Sequence, residues 1–276
     1  MAKELARELI NAGAHFGHAV SRWNPKMSQY IFKKHGMIHV IDVKETLKGL
    51  LIAKKLLTRV VSSGKDVIFV GTKRQAKKAV VDAAAETSMH YVTERWLGGT
   101  LTNFRTIRSR LSRLEELEAM QLSGSLEKES KKQASRLKRE LAKVKTNLDG
   151  IRNMSRIPGV MIVVDTTKEH IALREARALG VPTIGIIDTD SDPDLVDIAI
   201  PANDDSLKGV ALILNELAEA VRVGKNLSMT QESFSPALQT KNKGRRRKSL
   251  ASADGSGEQS SVDDEVTDAV ESSSSN

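Results

Sequence analysis

The chain has 276 residues, of which 39% are hydrophobic and only 3% aromatic, so a substantial core must be built from Val, Ile, Leu, Ala and Met. It has no cysteine, which excludes a disulfide framework, a thiolate metal site and a cysteine nucleophile. The net charge of +8 understates the body: residues 249–276 hold seven acids and no base, leaving 43 Lys and Arg against 28 Asp and Glu over residues 1–248, or +15. A body so basic points to a polyanionic partner, nucleic acid ahead of a membrane surface.

Residues 1–11 carry Glu4 and Glu8 and lack an apolar stretch, so they do not read as a secretory leader. Apolar runs fall far short of 18 residues, so no membrane span is expected and the expected location is cytoplasmic. An amphipathic helix is read over residues 43–61, then a buried strand over 66–71 (DVIFVG), with Gly64 ending the helix before it. A second helix is expected over 74–86 and a short strand over 90–93. After a helical interruption, strands follow at 160–165 (VMIVVD) and 183–188 (TIGIID), separated by a helix over 169–179. A further short strand at 198–201 and a helix over 207–223 complete the rhythm. Continuous apolar strands separated by helices imply a parallel sheet covered on both faces, and right-handed crossovers make it an α/β doubly wound sheet.

The interruption has its own period. Phe104, Ile107, Leu111 and Leu114, then Ala134, Leu137, Leu141, Val144 and Leu148, follow the 3-4 spacing of a coiled-coil seam. With a Ser-Gly-Ser turn at Ser123, Gly124 and Ser125 between them, residues 104–149 read as an antiparallel helical hairpin inserted into the α/β domain (residues 1–103 and 150–226). Its flanks carry Arg105, Arg108, Arg110, Arg113, Lys128, Lys131, Lys132, Arg136, Lys138 and Arg139, as expected of an arm reaching towards a partner. Residues 227–276 read as a disordered tail: a basic cluster at 241–248, then Ser and acids too poor in apolar groups to offset ordering entropy. Such a tail could tune binding electrostatically.

Several short patterns resemble chemical sites. Gly71-Thr72-Lys73-Arg74 follows a strand and opens a helix, so its amides with Lys73 and Arg74 could cradle a phosphate. Neither the dinucleotide glycine pattern nor the P-loop is present, so a nucleotide-binding α/β enzyme is kept only as the alternative. Asp188, Asp190 and Asp192 are spaced as in a calcium loop, but Pro193 and Ala199 stand where Gly and Glu are needed. Asp192 is better read as the cap of a helix starting at Pro193, while magnesium at the carboxyl end of the preceding strand stays open. His15 and His18 could share a metal, but Gly17 argues against a regular helix and no third ligand stands nearby. Structural or RNA-facing histidines are favoured, and no cofactor, metal or small-molecule substrate is expected. Trp23 and Trp96 sit beside Arg22 and Arg95 and read as packed rings flanked by contact arginines, with base stacking as the other reading.

Residues 13–18 (GAHFGH), 22–27 (RWNPKM), 69–74 (FVGTKR), 95–99 (RWLGG) continuing through 101–103 (LTN), 184–194 ending in DTDSDPD, and 200–205 (IPANDD) together resemble the S-two family of bacterial small-subunit ribosomal proteins, in family order over residues 3–225. The resemblance implies a flavodoxin-like α/β/α domain with an inserted coiled-coil hairpin and no reaction of its own. It implies, as partners, small-subunit rRNA and neighbouring ribosomal proteins, including the mRNA-binding protein S-one that the family helps attach. Glu94 stands where some members have His, so no imidazole role is carried over there. Arg22, Trp23, Lys26, Lys73, Arg74, Arg95, Trp96, Arg105 and Arg108 are the candidates for rRNA or partner contact.

Overall fold

A computed structural model describes residues 2–125 and 130–242. The described residues up to 233 make one compact unit. The strands β4 (Val67–Val70), β5 (His90–Val92), β6 (Val160–Val164), β7 (Thr183–Ile187) and β8 (Ile198–Pro201) form a parallel sheet in the order β5-β4-β6-β7-β8. That order is the flavodoxin-like one, with a reversal between β4 and β6 where two crossovers diverge. Every residue of β4, β6 and β7 is buried, which explains why these strands read as continuous apolar runs rather than alternating ones.

Alternation appears once the helices are placed. Val67 and Phe69 point to one face with Val160, Ile162 and Val164, where α2 (Val43–Ser62), α3 (Lys77–Thr87) and the first turns of α7 (Leu207–Asn242) cover them. Ile68, Val70, Met161 and Val163 point to the other, under α6 (His170–Ala178) and the base of α4 (Phe104–Leu122). On the first face α2 lies very close to β8: a Cβ on Gly49 would come 2.2 Å from the Ala199 carbonyl oxygen. Thr46 Oγ1 donates to the Pro201 carbonyl at 2.6 Å, locking the same crossing.

Three features differ from expectation. The N-terminal residues, to which periodicity assigns nothing, form α1 (Ala2–Asn11) and a small antiparallel sheet of β1 (Phe16–Ala19), β3 (Ile38–Ile41) and β2 (Ile31–His35), in that order. The helix expected from residue 74 begins instead at Lys77, because Lys73 starts a tight turn whose carbonyl accepts from Ala76 and Lys77. Helix α7 runs to Asn242, where composition led us to expect chain without structure from residue 227; the Ser and acid content of the far end dominated that expectation, and nothing from 226 to 235 breaks a helix. The remainder of the tail, residues 243–276, lies outside the described residues.

Helix α4 ends at Leu122, with Gly124 at φ +67 just beyond, and a second helix, α5, spans Lys131–Leu148. Leu117 and Leu137 are buried against each other with Met120 and Leu141 around them. Arg113 faces Glu140 at 3.8 Å and Lys145 pairs with Glu118 at 3.1 Å.

Candidate functional site: charged groups at the carboxyl ends of the sheet

Ligands of open α/β sheets bind outside the carboxyl ends of the strands, and here that edge collects charge from distant parts of the chain. Asp188 follows β7 and is fully buried; Asp204 follows β8 and is 1% exposed. The small N-terminal sheet reaches the same place through β1. Its approach requires glycine at position 17, where a Cβ would lie 2.5 Å from Thr189 Cγ2, and the His18 amide donates to Thr189 Oγ1 at 2.9 Å. His18 Nδ1 then sits 2.9 Å from Asp188 Oδ2, and its Nε2 lies 3.3 Å from Asp205 Oδ2. From the turn after β4, Lys73 Nζ reaches Asp204 at 2.8 Å and Asp205 at 2.7 Å.

The electrostatics follow from this crowding. The hydrogen bond to Asp188 holds the His18 imidazole well above its ordinary value, at about 9, although burial works against it. Burial opposes the Lys73 charge too, yet its bonds to Asp204 and Asp205 outweigh that and raise its pKa. Burial, with Asp188 and Asp165 nearby, pushes the Asp204 carboxyl up against the pull of Lys73. Burial likewise raises Asp190, with His18 pulling the other way.

One donor atom from each of His18, Asp188 and Asp204 lies within 4.8 Å of the other two, and this imidazole-and-two-carboxylate set could hold a divalent cation such as zinc. The third ligand that the His15–His18 reading lacked is therefore supplied by the ends of β7 and β8, and His15 takes no part. Its ring packs on Phe16 with centroids 4.0 Å apart, and burial lowers its pKa. Residue 192 behaves as expected: Asp192 caps the short helix Pro193–Leu195 by accepting from the Asp194 amide at 3.0 Å.

The nine candidate contact residues divide by what folding does with them. Lys73 is paired with Asp204 and Asp205, and the helix start it was expected to share lies beyond Ala76. Lys26 is held by Asp192 at 2.8 Å and Asp194 at 2.6 Å. Trp96 is 5% exposed, so its ring is a packing group. Arg22, Trp23, Arg74, Arg95, Arg105 and Arg108 remain exposed, with the Trp23 ring 5.2 Å from that of His39.

Sequence reasoning missed what fixes the segment carrying Arg95. Glu175 of α6 is 8% exposed and accepts from Trp96 Nε1 at 3.1 Å, from the amides of Gly99 (2.8 Å), Leu101 (3.0 Å) and Thr102 (3.2 Å), and from the Thr102 hydroxyl (3.3 Å). A Glu inside an amphipathic helix gives no sign that it will be turned inward onto a loop 73 to 79 residues earlier.

Residues 9–224 match the family model described as Ribosomal protein S2. The chain belongs to the ribosomal protein S2 family. Members of this family are structural, non-enzymatic components of the ribosome. Among the family's curated members, the Small ribosomal subunit protein uS2 of Rhodopirellula baltica is 54% identical over 231 residues, which cover 84% of this chain and 89% of the relative. The protein of the same name from Treponema pallidum (strain Nichols) is 45% identical over 226 residues, 82% of this chain and 78% of the relative. That of Syntrophobacter fumaroxidans is 45% identical over 219 residues, 79% of this chain and 80% of the relative. The family match stops near residue 224, so it includes His18, Asp188, Asp204 and both helices α4 and α5, and leaves out the tail.

Proposed function

We propose that this chain is a structural constituent of the small ribosomal subunit in the cytoplasm, binding small-subunit rRNA and neighbouring ribosomal proteins during translation. The observation that carries the reading is the disposition of charge. Cations around the sheet edge are neutralised internally, as with Lys73 and Lys26. Among the described residues other cations, such as Arg22, Arg74, Arg95, Arg105 and Arg108, stay exposed, as a protein that neutralises phosphates needs. Arg22, Arg74, Arg95, Arg105 and Arg108 are the rRNA or partner contacts in this reading. Helices α4 and α5 form an antiparallel coiled-coil arm, residues 104–149, inserted into the α/β domain of residues 1–103 and 150–226. Each of its helices is about 28 Å long at 1.5 Å per residue. Helping to recruit the ribosomal protein S-one is part of the same proposal and rests on the family alone.

The test is sedimentation of a lysate with detection of this protein. It travels with small-subunit particles at low salt, and a free monomer peak alone would overturn the reading. Co-sedimentation of S-one that is lost when this protein is depleted tests the recruitment. The nucleotide-enzyme alternative asks Lys73 to meet a phosphate while Asp204 and Asp205 hold it, with the negative charges of Asp188 and Asp165 close to Asp204. Thermal-shift measurements with ATP, GTP and NAD show no stabilisation in the ribosomal reading.

A further inference from the structure

The charges on the helix pair sort into those the pair uses and those it leaves over. Used are Arg113 with Glu116 and Glu140, and Lys145 and Arg152 with Glu118, all between or beside the two helices. Left over on α5 are Lys131, Lys132, Arg136, Lys138, Arg139 and Lys143, all exposed and none with a carboxylate partner among the described residues; four of them, Lys132, Arg136, Arg139 and Lys143, share one face. Arg139 Nε donates to the Ser135 carbonyl at 3.3 Å in the same helix. The spacing is i, i+4, i+7, i+11, which places the four on one stripe of the helix about 16 Å long. The single acid in that stretch, Glu140, is turned aside to Arg113. A surface serving only solubility intersperses both signs; this face carries one sign in register.

We propose that Lys132, Arg136, Arg139 and Lys143 lie along the sugar–phosphate backbone of double-helical RNA without reading its sequence. The inference rests on the rRNA-binding role proposed above and names the surface and the form of RNA. Double-helical RNA is favoured over single strands because the stripe holds no aromatic ring. Proteins that grip single strands stack the bases on such rings, and in α4 and α5 the one aromatic, Phe104, is half-buried against the sheet. A straight helix bearing evenly spaced cations suits a backbone of regular shape. Lys132, Arg136 and Arg139 stand among the basic flanks expected of the hairpin and Lys143 does not, because sequence does not show which lysines and arginines have already found an acid.

The experiment compares the full chain with Lys132→Gln/Arg136→Gln/Arg139→Gln/Lys143→Gln, and with a control in which four other exposed cations are changed, Lys44→Gln/Lys55→Gln/Arg59→Gln/Lys78→Gln. Circular dichroism verifies that helix content is kept. Affinity is measured against salt with small-subunit rRNA, the poly(A)·poly(U) duplex and single-stranded poly(A). The stripe variant flattens the slope of log K against log[salt] by about 3 on the rRNA and the duplex, from four phosphates at roughly 0.7–0.9 each. The control quartet leaves that slope within one contact of wild type, and poly(A) binding is little changed by either. Equal flattening by both quartets would mean bulk charge and overturn the stripe; an unchanged slope would overturn it too. Equal loss on poly(A) would overturn the double-helical assignment. Sedimentation separates the two proposals. A wild-type chain found in small-subunit particles with no stripe effect leaves the ribosomal role standing alone. A stripe effect on the duplex with no particle association does the reverse.

Discussion

Glu175→Gln is the substitution that most directly tests how the Arg95 segment is held. The carboxylate is 8% exposed and its two oxygens receive five donors: Oε1 takes Trp96 Nε1 and the Gly99 amide, while Oε2 takes the Leu101 and Thr102 amides and the Thr102 hydroxyl. An amide has almost the same shape but replaces one acceptor oxygen with an NH₂, so whichever way it turns, two or three donors face a donor. Each buried donor left unpaired costs about 1–3 kcal/mol, and the surviving bonds lose their charge assistance. The expected cost is therefore about 2–5 kcal/mol, read as a reduced urea midpoint with an unchanged m-value. Acid supplies a second readout. Burial pushes the Glu175 carboxyl up, but the donors outweigh it and hold it below the ordinary 4.5. A depressed carboxylate contributes stability that is present above its unfolded value and lost as the pH falls through the folded one. The gap between wild type and variant is thus constant from neutral pH down to the ordinary carboxylate range and closes below it. A cost under about 0.5 kcal/mol at pH 7, or a gap that does not close in acid, would refute the idea that this carboxylate organises the segment.

Gly49→Ala adds a good helix former to α2, worth about 1 kcal/mol in isolation. It also drives a methyl to 2.2 Å from the Ala199 carbonyl, so thermal unfolding should show a net loss of roughly 2–4 kcal/mol, and a stabilised variant would mean that α2 can move off β8. Lys73→Met leaves the carboxylates of buried Asp204 and of Asp205 without their cation and costs about 3–5 kcal/mol in the same assay, whereas Arg74→Met stays within about 0.5; equal effects would contradict the pairing. His18 rises from 6.5 to about 9 through its bond to Asp188, with Asp190, Asp204, Asp205 and Lys73 as the other charges facing it. A raised histidine contributes stability that is complete below 6.5 and lost as pH rises through 9. In EDTA, wild type should lose at most roughly 3 kcal/mol across that window and His18→Gln should not, as followed by urea midpoints at each pH.

What could be read from the sequence, and what could not, divides along one physical line. Periodicity reports burial, and β4, β6 and β7 are buried throughout, so residues 66–71, 160–165 and 183–188 stand out as apolar runs. In β2 all but one of five residues are exposed, so it shows no such run, and the N-terminal sheet stayed hidden although it delivers His18 to the site. Asp188 could be suspected from its place at a strand end, but its partners His18 and Asp204 lie far off in the chain, and only the crossing of β1 over the 188–190 segment brings them together. Charge behaves differently. Composition fixes how much positive charge there is and says nothing about which cations are free. Lys73 and Lys26 looked like phosphate ligands from their neighbours and are spent on Asp204, Asp205, Asp192 and Asp194 from the other end of the chain. Lys132, Arg136 and Arg139 stand undistinguished among the basic flanks of the hairpin in the sequence, and with Lys143 they have no carboxylate partner among the described residues. The surface offered to a polyanion is therefore the set of cations left after the fold has paired off its own, and that subtraction requires the tertiary structure.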